Sequence, residues 1–196
     1  VTKLITTTLR QVLVDQGLLS DADTISKFLP GFPNGDRITI DMLARHQSGI
    51  PHRVTTFAEE AKPATSEEMA ARVARAGLLF EPGTQRSYSS AGYSLLARVM
   101  EFATGKSYAE LLRAYVFEPG EMTNSFTFES RKPNSNWATD FLLSPDGVTK
   151  APTKDYSYLI GAGSVFSTCV AMLRMRSRAR LWRDPSPNLV TSCPEP

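Results

Sequence analysis

A lysine at the third position opens a run of apolar residues at helical spacing, and the triplet Tyr88-Ser89-Ser90 lies far downstream. A lysine one helical turn after a serine suits serine acyl transfer. The attacking hydroxyl must lose its proton as it bonds to a carbonyl carbon. Residues three apart on a helix share a face, so that spacing brings the amine to the hydroxyl. The helix N-terminus favours the developing negative charge. Such a lysine must be partly neutral, which burial and nearby positive charge promote. A phenol from another segment, both donor and acceptor, can share the proton work. The chain begins Val1-Thr2-Lys3, and a serine just ahead of Val1 would complete a serine-x-x-lysine pattern. The expectation is that this preceding residue is the nucleophile, and that the chain as given lacks it and is inactive.

Lys3 can meet Tyr88 only through a long-range fold. Residues 1–16 read as one amphipathic helix with Leu4, Ile5, Leu9, Val12 and Leu13 inward and Gly17 as its stop. One helical turn is expected over Thr24–Leu29, then a Pro/Gly loop, a short extended Ile38-Thr39-Ile40, and a helix capped by Asp41 running to Arg45. Residues 52–64 read as irregular. Thr65 and Glu68 have capping-box spacing ahead of a helix that turns Met69, Val73 and Ala76 inward. The helix over Ala91–Ala103 carries Leu95, Leu96, Val99, Met100 and Phe102, dense enough for deep burial. Ser90 is read equally as its cap or as a substrate contact. A second capping box, Ser107 and Glu110, opens a helix to Phe117. Ser125–Phe128 reads as a short strand and 129–160 as a long loop. Gly161-Ala162-Gly163-Ser164 is a tight turn, not a nucleophile elbow, and Ser167-Thr168 cap a last helix from Cys169.

The 196 residues carry 41% hydrophobic and 21% charged side chains and a net charge of +2. That supports a packed core and gives no argument for nucleic acid or a membrane surface. No run is long enough for a membrane helix. Cys169 and Cys193 form no framework or metal pattern and read as free thiols. Five arginines lie between 174 and 183, ahead of a Pro/Ser-rich end. Such a run suggests an acidic partner or nucleic acid, but 169–196 reads rather as an atypical tail without a binding role, with 184–196 poorly ordered.

Several segments, in order, resemble the serine β-lactamase and penicillin-binding protein (DD-peptidase) superfamily, on its class C and esterase-like branch. Val1-Thr2-Lys3 with its apolar helix resembles the nucleophile helix. Ile38 to Pro51, ending His46-Gln47-Ser48-Gly49-Ile50-Pro51, resembles the signature ITI..LL.HTSGIP. Phe80-Glu81-Pro82-Gly83-Thr84 and Tyr88-Ser89-Ser90-Ala91-Gly92-Tyr93 resemble F.PGT...YSN.GY. The resemblance spans residues 1–168 as a partial domain. It implies Lys3 as general base, Tyr88 as its partner in moving the proton, and Ser90 as a substrate contact where the family usually has asparagine. A serine offers one donor where the amide offers two. His46 belongs to a stretch that is structural in the family. The family's third motif, K-T-G or H-x-G on a strand, is not found.

The resemblance implies an α+β parent fold: an antiparallel sheet flanked by helices, with an all-helical subdomain that makes up most of this chain. It implies a serine hydrolase acting on amides, β-lactams or esters, with a small-molecule or peptide substrate and no cofactor. A non-catalytic peptide- or peptidoglycan-binding member is the rival. The 129–160 loop would wall the cleft. A periplasmic or extracellular setting follows from the family alone. A helical half expressed alone would expose apolar surface meant for the sheet. Marginal stability or aggregation is therefore expected; a single cooperative urea transition with native-like steepness would contradict it.

Overall fold

The structure is a computed structural model of the chain. It describes residues 1–131, 138, 141–145, 147–151 and 155–177. The readings of 184–196, of Cys193 and of the arginines beyond 177 lie outside these residues.

Helix α1 (Thr2–Asp15) turns Ile5, Leu9, Val12 and Leu13 inward. Leu4, expected on that face, is 56% exposed. It sits about 100° round the helix from Ile5, off the stripe. Thr6, Thr7 and Thr8 are poor helix formers, yet Thr7 and Thr8 each donate their hydroxyl to the carbonyl four residues back, and Thr6 Oγ1 lies 3.0 Å from Thr2 O. Thr2 spends its hydroxyl across space on the backbone of Val165, accepting from the amide at 3.1 Å. The N-terminal turn of α1 is thereby pinned to a segment far along the chain.

After a one-turn helix at Ile25–Lys27 comes α2 (Ile40–Ala44). Its cap is Thr39, whose hydroxyl accepts from Met42 N at 3.2 Å, and not Asp41 as expected. Thr39 bridges to Thr24, so only part of the expected extended segment pairs. The segment 52–64, read as irregular, contains α3 (Phe57–Glu60), opened by a Thr56–Glu59 capping box. Helix α4 (Ser66–Ala76) has the expected Thr65–Glu68 box and buries Met69, Ala70 and Val73. Ala76 is exposed instead of inward.

Helix α5 (Ser90–Thr104) is the centre of the core and packs on α1, α2, α4 and the next helix. Leu95, Leu96, Val99 and Met100 are fully buried, whereas Phe102 is 53% exposed. Burial of one such side chain contributes about 1.5–3 kcal/mol. Helix α6 (Tyr108–Leu112) opens on the Ser107–Glu110 box and continues as a wide turn through Phe117.

Strands are few. β1 (Phe126–Thr127) pairs antiparallel with β4 (Val165–Phe166). Inside the expected loop, β2 (Phe141–Ser144) and β3 (Gly147–Lys150) form an exposed hairpin, Phe141 opposite Lys150. Its described positions lack the alternation of apolar and polar residues that would have marked it in the sequence. Helix α7 (Cys169–Ser177) starts where expected, Thr168 accepting from Ala171 N, and buries Ala171 and Met175.

The turn at 160–164 lies against α5. Gly161 has φ of +71°, and a Cβ there would stand 2.5 Å from Tyr93 O and 2.8 Å from Ala97 Cβ. Gly105, at φ +69°, has open space around it. The pair separates backbone strain from collision. Gly105→Ala should cost about 1–2 kcal/mol, the left-handed penalty alone. Gly161→Ala should cost clearly more and shift the 160–164 turn; urea melts of the two variants measure the difference, and equal losses would refute the close-approach argument.

Candidate active site

The Lys3 ammonium reaches from the first turn of α1 to three other segments. Nζ donates to Ala162 O at 2.9 Å and to Ser90 Oγ at 3.1 Å. It also lies 4.9 Å from the Tyr88 ring centroid and 5.5 Å from that of Tyr93. A cation over an aromatic face is held by the ring quadrupole. Lys3, Tyr88 and Ser90, the three residues singled out from the sequence, therefore meet at one point. Tyr88 contributes its ring face and is 55% exposed.

Tyr93, to which the sequence assigns no role, is held at its hydroxyl. Its hydroxyl donates to Ala44 O at 2.9 Å and lies 3.1 Å from the Thr7 hydroxyl. The carbonyl of Ala162 is set by the turn on α5. One residue earlier, Gly161 O accepts from Thr6 at 2.6 Å, which leaves the Tyr108 hydroxyl to donate to Thr6 at 2.8 Å. Burial pushes the Tyr108 phenol far above its ordinary range, so it stays a neutral donor.

The Tyr88–Ser90 segment is stitched to the chain at 46–49. Ser87 N donates to His46 O, Gly83 N to Gln47 O and Leu79 N to Gly49 O, at 2.8–2.9 Å. The first turn of a helix leaves backbone N–H groups without partners. Here each finds one. Ser89 N donates to His46 Nδ1 at 3.2 Å and Ser90 N to His52 Nδ1 at 3.3 Å. Ala91 N donates to His52 O at 3.3 Å, and Gly92 N to Ser89 Oγ at 2.8 Å. Ser89, not Ser90, is thus the helix cap. Ser90 is the first helical residue, and its hydroxyl faces Lys3.

His46 is only 8% exposed, and its ring centroid lies 4.7 Å from that of Tyr88 and 5.1 Å from that of Tyr93. Burial lowers its pKa below the ordinary imidazole value, and the Lys3 and Arg86 charges push the same way. Neutral His46 that accepts at Nδ1 carries its proton on Nε2. The sequence reading left His46 as structural and did not single out His52. The signal available was the need of a helix start for acceptors. Ser164, the other serine weighed, is fully buried.

A cavity of about 250 Å³ opens beside Ser90, walled by His52, Arg53, Glu60, Ser94 and Tyr158. Glu60 takes two bonds from Arg53, at 2.6 and 2.8 Å, and one from Thr55 at 2.9 Å. Burial opposes its ionisation, but Arg53 and Thr55 outweigh burial and hold the carboxyl below its usual value. Val54, Met69, Ala91 and Leu159 complete the lining, so a charge-paired polar group sits in a largely apolar wall. Tyr158 brings the end of the 129–160 segment to the cavity. Among the described residues, no helix is long and apolar enough to cross a membrane.

Known proteins share this arrangement of segments. The chain is 30% identical over 183 residues to the D-alanyl-D-alanine-carboxypeptidase/endopeptidase AmpH of Escherichia coli, covering 88% of this chain and 46% of that protein. It is 33% identical over 125 residues to penicillin-binding protein 4* of Bacillus subtilis, covering 61% and 28%. The chain thus spans less than half the length of these curated relatives. Among solved structures, the D-amino acid amidase of Ochrobactrum anthropi superposes with a TM-score of 0.81 at 24% identity, covering 90% of this chain and 54% of that one. A penicillin-binding protein of Bacillus halodurans gives 0.73 at 26%, covering 92% and 57%. The sequence profile of the Beta-lactamase family matches residues 1–190, and with that match the chain belongs to the Beta-lactamase family, within the serine β-lactamase and penicillin-binding protein superfamily.

Proposed function

We propose that the chain is part of a serine hydrolase that works through an acyl-serine, with Lys3 as general base, Tyr88 as partner in the proton transfer and Ser90 beside the substrate. The nucleophile in this reading is a serine immediately ahead of Val1, one helical turn above Lys3. The observation that carries the reading is the convergence on Lys3 Nζ of Ser90 Oγ, Ala162 O and the Tyr88 ring. Lys3 takes the serine proton as the hydroxyl attacks an amide or ester carbonyl. The N-terminus of α1 faces the charge that develops there. The proton then goes to the leaving nitrogen or oxygen, and water hydrolyses the acyl-serine with the same base. The names of the relatives, a carboxypeptidase/endopeptidase and an amidase, support amides as the substrate class.

Fluorescent penicillin tests this. The chain as given should not label, and the chain preceded by serine should. In that serine-extended chain, Lys3→Ala should slow acylation by about 10²–10⁴-fold, the usual contribution of a positioned proton-transfer group. Tyr88→Phe should slow it in the same direction. Covalent labelling of the unextended chain, or undiminished labelling of Lys3→Ala, would overturn the assignment. Reversible binding of a peptide without labelling would favour a non-catalytic member of the fold.

A further inference from the structure

The chain has two histidines, and both aim Nδ1 at consecutive amides of one helix start. His46 accepts from Ser89 N and His52 from Ser90 N. These amides flank the backbone that carries Tyr88 and Ser90 to Lys3. We propose that His46 and His52 are positioning residues that act through the Ser89 and Ser90 amides to hold Tyr88 and Ser90 against Lys3, and that acid releases the hold made by His46. The consequence for catalysis rests on the reading of Lys3 given above; the hold itself does not.

The chemistry is that of a single lone pair. A neutral imidazole offers one acceptor nitrogen, and protonation turns it into a donor. Protonated His46 would then set N–H against N–H at the positive end of α5. His46 is faced by Lys3 from α1, by Arg86 and Tyr88 from the segment before α5, by Tyr93 from α5, and by His52. Its charged neighbours, Lys3 and Arg86, are both cationic. His52 faces the Tyr88 ring at 5.2 Å and shares its cavity wall with Arg53, Glu60 and Tyr158, of which Arg53 and Glu60 neutralise each other. His46, being buried, dominates. The fold binds its neutral form, so its contribution is full above the unfolded imidazole value of about 6.5. That contribution is lost as pH falls from there through the lowered folded value.

Substitution can separate acceptor from titration. His46 has φ of +62°, a left-handed conformation that asparagine tolerates. Asparagine also places Oδ1, an acceptor that does not titrate, where Nδ1 lies. The readout is the Lys3 ε-methylene proton shift, which the rings of Tyr88 and Tyr93 shield, followed by NMR on the labelled chain from pH 8 to pH 4. The expected result is an Nε2–H tautomer for His46 at pH 7.5. The Lys3 shielding and the Ser89 amide shift should then collapse together with the His46 titration. His46→Asn should keep the shielding and lose that titration, whereas His46→Ala should lose the shielding at every pH. His52→Asn should likewise preserve the Ser90 amide shift. A Lys3 signal that stays fixed while His46 titrates, or an Nδ1–H tautomer, overturns the proposal. Should His46→Ala not fold, the wild-type titration and His46→Asn decide the matter. None of these readouts requires acylation, so failure here is distinct from failure of the hydrolase reading.

Discussion

The approach of one glycine to the α5 backbone sets the rest of the site. At Gly161 the chain passes so near Tyr93 O and Ala97 Cβ that no side chain fits. Because it passes that near, two successive carbonyls face α1. Gly161 O takes the Thr6 hydroxyl and Ala162 O takes the Lys3 ammonium. Thr2 adds a third tie, to Val165. The lysine is placed by packing first and by polar contacts second. Lifting the turn by one methyl group would move both carbonyls away from α1 at once.

Among the described residues no carboxylate forms an ion pair with Lys3 Nζ. A carbonyl, a hydroxyl and two ring faces surround it. The neighbouring His46 is kept neutral by burial and by Lys3 itself. The start of α5 points the positive end of its dipole at the same place. An oxygen gaining negative charge beside Lys3 would therefore meet a field already arranged for it, without reorganisation of the protein. A glutamate in the position of His46 would quench that field and lose the acceptor geometry for Ser89 as well.

The helices that carry this arrangement were legible because their signals are local. The Thr65 and Ser107 capping boxes and the apolar density over 95–100 lie within single elements. Lys3, Tyr88 and Ser90 came from spacing read with ordered resemblance. What escaped depends on partners distant in sequence. Ser89 and Ser90 are both good caps, and only the position of Lys3 and of the two imidazoles decides between them. Tyr93 reads as core until Ala44 and Thr7 claim its hydroxyl. The capping box of α3 was visible in Thr56 and Glu59, but its single helical turn buries nothing and so leaves no periodic apolar trace. Leu4 and Phe102 show the opposite error, apolar residues whose angle on the helix takes them off the buried face.

The serine at 90 has its own logic. A hydroxyl carries one proton and accepts through its oxygen. Lys3 Nζ lies 3.1 Å from Ser90 Oγ, and when the lysine donates there the serine proton is free for another acceptor. Ser90 also lines the cavity walled by His52 and Ser94. An asparagine there would accept through its oxygen and still offer two N–H groups to a substrate. Serine offers one, with a shorter reach.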